Sequence, residues 1–285
     1  MNELKSICYQ ESKACYEADR GQAYQSIIED ELTAIIKKGF QMLRLYDVSE
    51  FALKVLEVIE EKQLPLKVML GVSFKGEVIN QNTSNGAILK TKDIIFNKRE
   101  NQAKIEVLID CSNRYESIVK QVCVGNDNQT AWTINMVSPV EIIKYIHMVK
   151  KMVKQPVIYA ENAYFWNTSL KNIAKEVDIV GINLHPYFQD KSVSEAHLYV
   201  ASFVEATIEH LNKPVIITET GWPRSSSNIE NPTNVADQIE YISNMLEWSK
   251  KTNIQTYFYE AYDTHIQKDT YPYQNKFGLM KKNTN

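Results

Sequence analysis

Residues 118–160 read IVKQVCVGNDNQTAWTINMVSPVEIIKYIHMVKKMVKQPVIYA, and the fold is decided in this stretch. It opens on a short run rich in β-branched residues, Ile118–Gly125, and closes on another, Val157–Ala160. Runs of that kind read as strands. Between them Ile142, Ile143, Ile146 and Val149 recur at helical spacing, with Lys144 and His147 turned elsewhere, so a helix is predicted over Pro139–Lys154. Strand, helix and strand in succession make the repeating unit of a parallel sheet.

Outward from this unit, the same alternation fills the chain. Further strands are predicted at Leu4–Tyr9, Phe40–Tyr46, Leu66–Val72, Ile179–Leu184, Val215–Thr218 and Ile254–Tyr259, which brings the number to eight. Helices are predicted at Tyr24–Lys38, Glu50–Lys62, Gln102–Tyr115, Trp166–Glu176, Ser194–Asn212 and Ala236–Lys251. Pro65, Pro156 and Pro214 stand just ahead of strands, where a residue that stops helices belongs. Eight units in roughly 250 residues point to an α/β protein with one (β/α)₈ TIM barrel over residues 1–285. An open doubly wound sheet is the alternative, and it loses support because no Gly-rich phosphate loop follows the first strand. An eighth helix is expected to be short or absent, since a polar, aromatic loop runs from Tyr259 to Tyr273.

Composition narrows the function. The 285 residues carry a net charge of −3 with no long basic run, which disfavours nucleic acid as a partner. No stretch approaches the ~20 apolar residues of a membrane span. Cys8, Cys15, Cys111 and Cys123 lack CxxC spacing and read as reduced thiols. No metal and no cofactor is expected, and the chain is expected to be a monomer. Met1–Ser6 has no apolar run of a signal peptide. The sequence as it stands therefore reads as cytoplasmic, or as periplasmic or secreted if a leader has been removed.

In such a barrel the chemistry gathers at the C-terminal strand ends. Those positions hold Arg44, Tyr46 and Asp47; Asn126 and Asp127, with Trp132 beyond; Glu161 and Asn162; Asn183, His185 and Tyr187; Glu219 and Trp222; and Glu260 and Asp263. Carboxylates ringed by aromatic rings suit a neutral sugar, whose C–H faces stack on rings and whose hydroxyls take hydrogen bonds. Two carboxylates across the cleft would supply acid/base and nucleophile for glycosidic cleavage. Structural alternatives exist: an Arg44–Asp47 ion pair, Trp132 as a cap on the barrel, and His185 as a core histidine. Glu219, closing an apolar strand before Thr-Gly-Trp-Pro, has no evident structural use.

The segments Leu43–Tyr46, Val124–Asp127, His185–Phe188, Thr218–Pro223 and Phe277–Leu279, in this order, resemble glycoside hydrolase family 17. That family holds β-1,3-glucanases and β-1,3-glucanosyltransferases on a (β/α)₈ barrel. Pro156–Trp166 and Tyr257–Asp263 look most like its bacterial-type branch. The resemblance implies a retaining double displacement on β-1,3-linked glucan, oligosaccharide or polysaccharide. It makes Glu219 the nucleophile, Asp127 the acid/base, and Asn126 the ligand of the 2-hydroxyl. Arg44, Tyr46, Trp132, His185, Tyr187, Trp222, Glu260 and Asp263 complete the expected substrate-binding set, with Tyr46, Tyr187 and Trp222 lining the subsites nearest the cleavage point.

Two positions depart from the family pattern. Asp127 stands where the family has glutamate, one methylene shorter, and a misplacement of ~1 Å can cost ~10²-fold in rate. Thr264 stands where many members have a further cleft glutamate. Three readings follow: an active hydrolase with an adapted acid, a glucanosyltransferase, or a catalytically impaired barrel that binds glucan.

Overall fold

A computed structural model describes residues 5–84, 86–264 and 275–280. The chain runs β1 (Ser6–Cys8), α1 (Lys13–Glu17), α2 (Gln22–Lys37), β2 (Met42–Leu45), α3 (Glu50–Glu61), β3 (Lys67–Val72), α4 (Thr91–Arg114) and β4 (Val119–Asn126). It continues with α5 (Pro139–Lys150), β5 (Val157–Asn162), α6 (Ala163–Thr168), α7 (Lys171–Glu176), β6 (Ile179–Asn183), α8 (Val193–Leu211) and β7 (Val215–Thr220). Last come β8 (Ser225–Ser226), α9 (Val235–Thr252), β9 (Thr256–Phe258) and β10 (Asn275–Lys276). Eight parallel strands, β1–β7 and β9, close into a barrel in sequence order, with Ile7 of β1 paired to both Leu43 and Phe258. The two-residue strands β8 and β10 pair antiparallel beside it. The predicted eighth-helix region falls largely outside the described residues.

The helices form where apolar stripes and caps coincide. Helix α5 starts at Ser138, whose hydroxyl accepts from Glu141 N at 3.3 Å, and buries Ile142, Tyr145, Ile146 and Val149 against the sheet. Helix α4 begins at Thr91, well before the predicted Gln102. Its first turns carry almost no apolar stripe and are held by amides instead. Asn97 donates to Gly76 O (2.7 Å), and Asn101 donates to Lys75 O and Glu77 Oε1 (2.8 Å each). The single helix predicted over 166–176 is two short ones, split where the Thr168 and Ser169 hydroxyls bond back to the Phe165 carbonyl.

Alternate residues of the strands point into the barrel. Cys8, Met42, Met69, Cys123, Ile158, Ile216 and Tyr257 fill its middle. Below them Gln121, Gln255, Ser6 and the Tyr257 hydroxyl hydrogen-bond to one another. All four cysteines are unpaired. The lumen is thus a packed plug, and in this fold chemistry sits at the C-terminal mouth.

Candidate active site

Strict alternation would turn Glu219 outward, because Ile216 faces the lumen. A register shift prevents this: Ile182 pairs with Ile217, but the next pair is Asn183 with Glu219. The extra residue in β7 re-aims the end of the strand, as bulges do at barrel rims. Strand β4 shifts likewise, since Cys123 pairs with Ile158 and Asn126 with Ala160. Here the turn is made by Gly125 at φ 99°, where an added Cβ would stand 2.9 Å from the Tyr159 ring. Asp127 follows at φ 49°, a left-handed backbone that aspartate tolerates better than most residues. Its amide is tied to Ala160 O at 3.1 Å.

These two strand ends share one polar network. Arg44 Nη1 donates to Glu219 Oε1 (2.8 Å), Thr218 O (2.9 Å) and Asn183 Oδ1 (3.4 Å), while Nη2 donates to Asn126 Oδ1 (2.6 Å). The guanidinium lies 4.3 Å above the Tyr46 ring centroid. Asn126 Nδ2 donates to Asp127 Oδ2 (2.9 Å), and Asn183 Nδ2 donates to Asp127 Oδ1 (3.0 Å) and Asn126 Oδ1 (2.9 Å). His185 Nε2 lies 3.4 Å from Glu219 Oε2. The two carboxylates are therefore joined through Arg44 and Asn126 at one mouth.

Their environments push them apart. Burial works to raise the Glu219 carboxyl, but Arg44, then His185, holds it below the usual carboxylate range. Burial, then the carboxylates of Glu161 and Glu219, raises Asp127 well above that range, and the Asn183 bond and Arg44 only partly offset this. A pair tuned in opposite directions is an ionised carboxylate beside a protonated carboxyl, the combination that acid/base chemistry needs.

Other expected site residues are placed differently. Arg44 is buried and spends its donors on protein groups, so it positions Glu219 and Asn126 where contact with sugar was expected. It does not pair with Asp47, which binds Lys104 at 2.6 Å. Tyr187 and Trp222, only 3% and 4% exposed, are packed edge to face at 5.4 Å, against the expectation that they line the subsites. The Tyr187 hydroxyl donates to Asn231 O (2.7 Å), and Trp222 Nε1 donates to Thr233 Oγ1 (2.8 Å). They form the wall behind the mouth. Glu260 is buried and accepts from Gln10 Nε2 at 3.2 Å. Asp263 accepts from Arg224 Nη2 (2.5 Å) and Gly278 N (2.9 Å), which fastens the segment around Gly278 to the barrel. Tyr46 stays half-buried beside Arg44. Trp132 is 55% exposed on the β4–α5 loop, which Asn80 braces through Ala131 O and Thr133 O.

Two residues at the mouth were left out of the expected set. Asn183 and Glu161 both read as strand-end residues in the sequence, but a strand-end position alone gives neither a role.

Comparisons with known proteins agree with this fold. The family model described as the BtgE/BtgC glycoside hydrolase domain matches residues 6–278. A probable glucan endo-1,3-beta-glucosidase, btgC of Aspergillus fumigatus, is 25% identical over 203 residues, 68% of this chain and 27% of that protein. The chain thus spans 37% or less of the length of the curated relatives it matches. Among solved structures, an endo-laminarinase from Formosa superposes with a TM-score of 0.76 at 15% identity, covering 92% of this chain and 78% of that one. A glycoside hydrolase family 17 beta-1,3-glucanosyltransferase from Rhizomucor miehei does so with a TM-score of 0.74 at 17% identity, covering 97% and 92%.

Proposed function

This chain belongs to the BtgE/BtgC glycoside hydrolase family, and on that footing we propose that it cleaves β-1,3-linked glucan by a retaining double displacement. The observation that carries the reading is the opposed tuning of Glu219 and Asp127 across the Arg44–Asn126 bridge. In the first step the Glu219 carboxylate attacks the anomeric carbon while the Asp127 carboxyl gives its proton to the departing glycosidic oxygen. The products are a glycosyl ester on Glu219 and an Asp127 carboxylate. In the second step Asp127 takes a proton from water, the oxygen attacks the same carbon, and Glu219 leaves as carboxylate. Two inversions retain configuration. If the hydroxyl of a second glucan chain replaces water, the same steps give transglycosylation.

The name of the Aspergillus fumigatus relative, probable glucan endo-1,3-beta-glucosidase, supports the substrate class. We assign the chain to the bacterial-type branch on residues 156–166 and 257–263, and we take it to be one barrel domain acting as a monomer. The deciding experiment is incubation with a β-1,3-glucan oligosaccharide and separation of the products. Shorter chains support hydrolysis, longer chains support transfer, and an unchanged substrate refutes both.

A further inference from the structure

Glu161 is a buried carboxylate on the strand next to Asp127 to which the two steps above give no part. It is 0% exposed, and its four partners are all neutral donors. Oε2 accepts from Gln129 N (2.7 Å) and the Tyr159 hydroxyl (3.0 Å). Oε1 accepts from the Thr130 hydroxyl (2.9 Å) and Asn162 N (3.0 Å). Among the described residues no cation forms an ion pair with it. Burial raises its carboxyl above the usual range, and the hydrogen bonds from Asn162, Gln129, Thr130 and Tyr159 pull it back toward the ionised form, so these donors are what sustain a charge there.

Two of the four donors, Gln129 and Thr130, lie in the loop directly after Asp127. Asp127 itself is fixed to the neighbouring residue of β5 through Ala160 O. The left-handed turn at Asp127 is thus gripped on both sides by two consecutive residues of one strand, and Glu161 supplies the far grip. We propose that Glu161 is a positioning residue for the reaction, whose buried carboxylate clamps the β4–α5 turn and sets the Asp127 carboxyl at the glycosidic oxygen. The inference rests on the reading of Asp127 as acid/base.

Glutamate is required there by hydrogen-bond chemistry. Each oxygen faces one backbone N–H, Gln129 on one side and Asn162 on the other, and neither can turn away. A glutamine would have to aim its NH₂ at one of them in either orientation. The carboxylate also acts on Asp127 electrically. The charged groups that bear on Asp127 are Glu161, Glu219 and Arg44, and Glu161 is the strongest of the three in favouring the protonated form. Removing its charge lets Asp127 lose its proton at lower pH.

The test compares Glu161→Gln, Thr130→Val and Asp127→Ala with wild type on a natural β-1,3-glucan oligosaccharide and on an activated aryl glucoside. Glu161→Gln is expected to lower kcat on the natural substrate about tenfold or more with KM little changed. The activated substrate, which needs the proton least, should lose roughly threefold at most. The basic limb of kcat/KM against pH should move to lower pH. Thr130→Val removes one grip and leaves the charge, so kcat should fall several-fold with the basic limb in place. Equal losses on both substrates, or a basic limb in Glu161→Gln unmoved from wild type, overturn the proposal. If Glu161→Gln does not fold, Thr130→Val decides: unchanged kcat overturns the clamp. Asp127→Ala separates the two levels. If it keeps natural-substrate turnover, the acid/base reading itself falls; if it collapses while Glu161→Gln matches wild type, only the present inference falls.

Discussion

Arg44→Met is the perturbation that reaches furthest into the site. The guanidinium is buried and donates to one carboxylate, Glu219, and to three neutral oxygens on Thr218, Asn126 and Asn183. Methionine fills much of the same volume, so the change is mainly electrostatic. Breaking a buried ion pair from one side costs about 3–5 kcal/mol, because the surviving charge is left without compensation. That is a large share of the about 5–15 kcal/mol of a typical domain. Glu219 escapes part of this by taking a proton. In wild type its carboxyl is held below the usual range, so its contribution to stability is complete above the unfolded value of about 4.3 and is lost as pH falls through the lower folded value. Without Arg44, burial is the leading influence and the folded value rises above the unfolded one. The sign then reverses: stability from this group is present below about pH 4.3 and is lost as pH climbs through the raised value. The stability gap between variant and wild type should therefore widen from pH 4 upward. The acid limb of kcat/KM should move to higher pH, and the maximum should fall by about 10²-fold or more as the nucleophile loses its position. Thermal melts at several pH values and a pH–rate profile read both. A variant with the wild-type acid limb and a pH-independent stability gap would refute the argument that Arg44 keeps Glu219 ionised.

Glu219→Gln should abolish turnover, by at least about 10⁴-fold, while calorimetry still detects glucan binding, because an amide keeps the shape but cannot attack the anomeric carbon; equal turnover removes Glu219 as nucleophile. Asp127→Glu tests the shorter acid: the left-handed backbone and the two amides clasping its oxygens argue that the turn is built around aspartate, so glutamate should overpack and slow the natural substrate several-fold. A several-fold gain on natural glucan, with an activated substrate unaffected, would instead mark aspartate as a retreated acid. Trp222→Ala should cost about 3–5 kcal/mol and lower Tm on the order of 10 °C, with KM within about twofold, since the ring packs on Tyr187 and Tyr241. A large rise in KM without loss of stability would return Trp222 to the sugar site.

The barrel was legible because its cause is local. Helical stripes such as Ile142, Ile146 and Val149, and short β-branched runs between prolines and polar loops, are written within single elements. The parts that were misread obey no periodicity. The first turns of α4 are held by Asn97 and Asn101, whose amides reach the backbone of a loop some twenty residues away in sequence. Such contacts are invisible until the chain is folded.

The site divides along the same line. That Asp127 and Glu219 close strands could be read directly, but which way a strand end points could not. Glycine at 125 hints at a bulge in β4; the shift in β7 falls at Ile217–Thr218–Glu219, which carries no such mark. Aromatic type also misled, because Trp222 and Tyr187 look like sugar platforms by composition and are buried by their neighbours. The consequence bears on how the chemistry is tuned. Opposite charge at Glu219 comes from Arg44, three strands away across the barrel closure, and like charge at Asp127 comes from Glu161 on the adjacent strand. Neither distance exists in the linear chain. A residue's identity at a strand end therefore names a possible catalyst, whereas its protonation state, and with it its role as nucleophile or acid, is a property of the closed barrel alone.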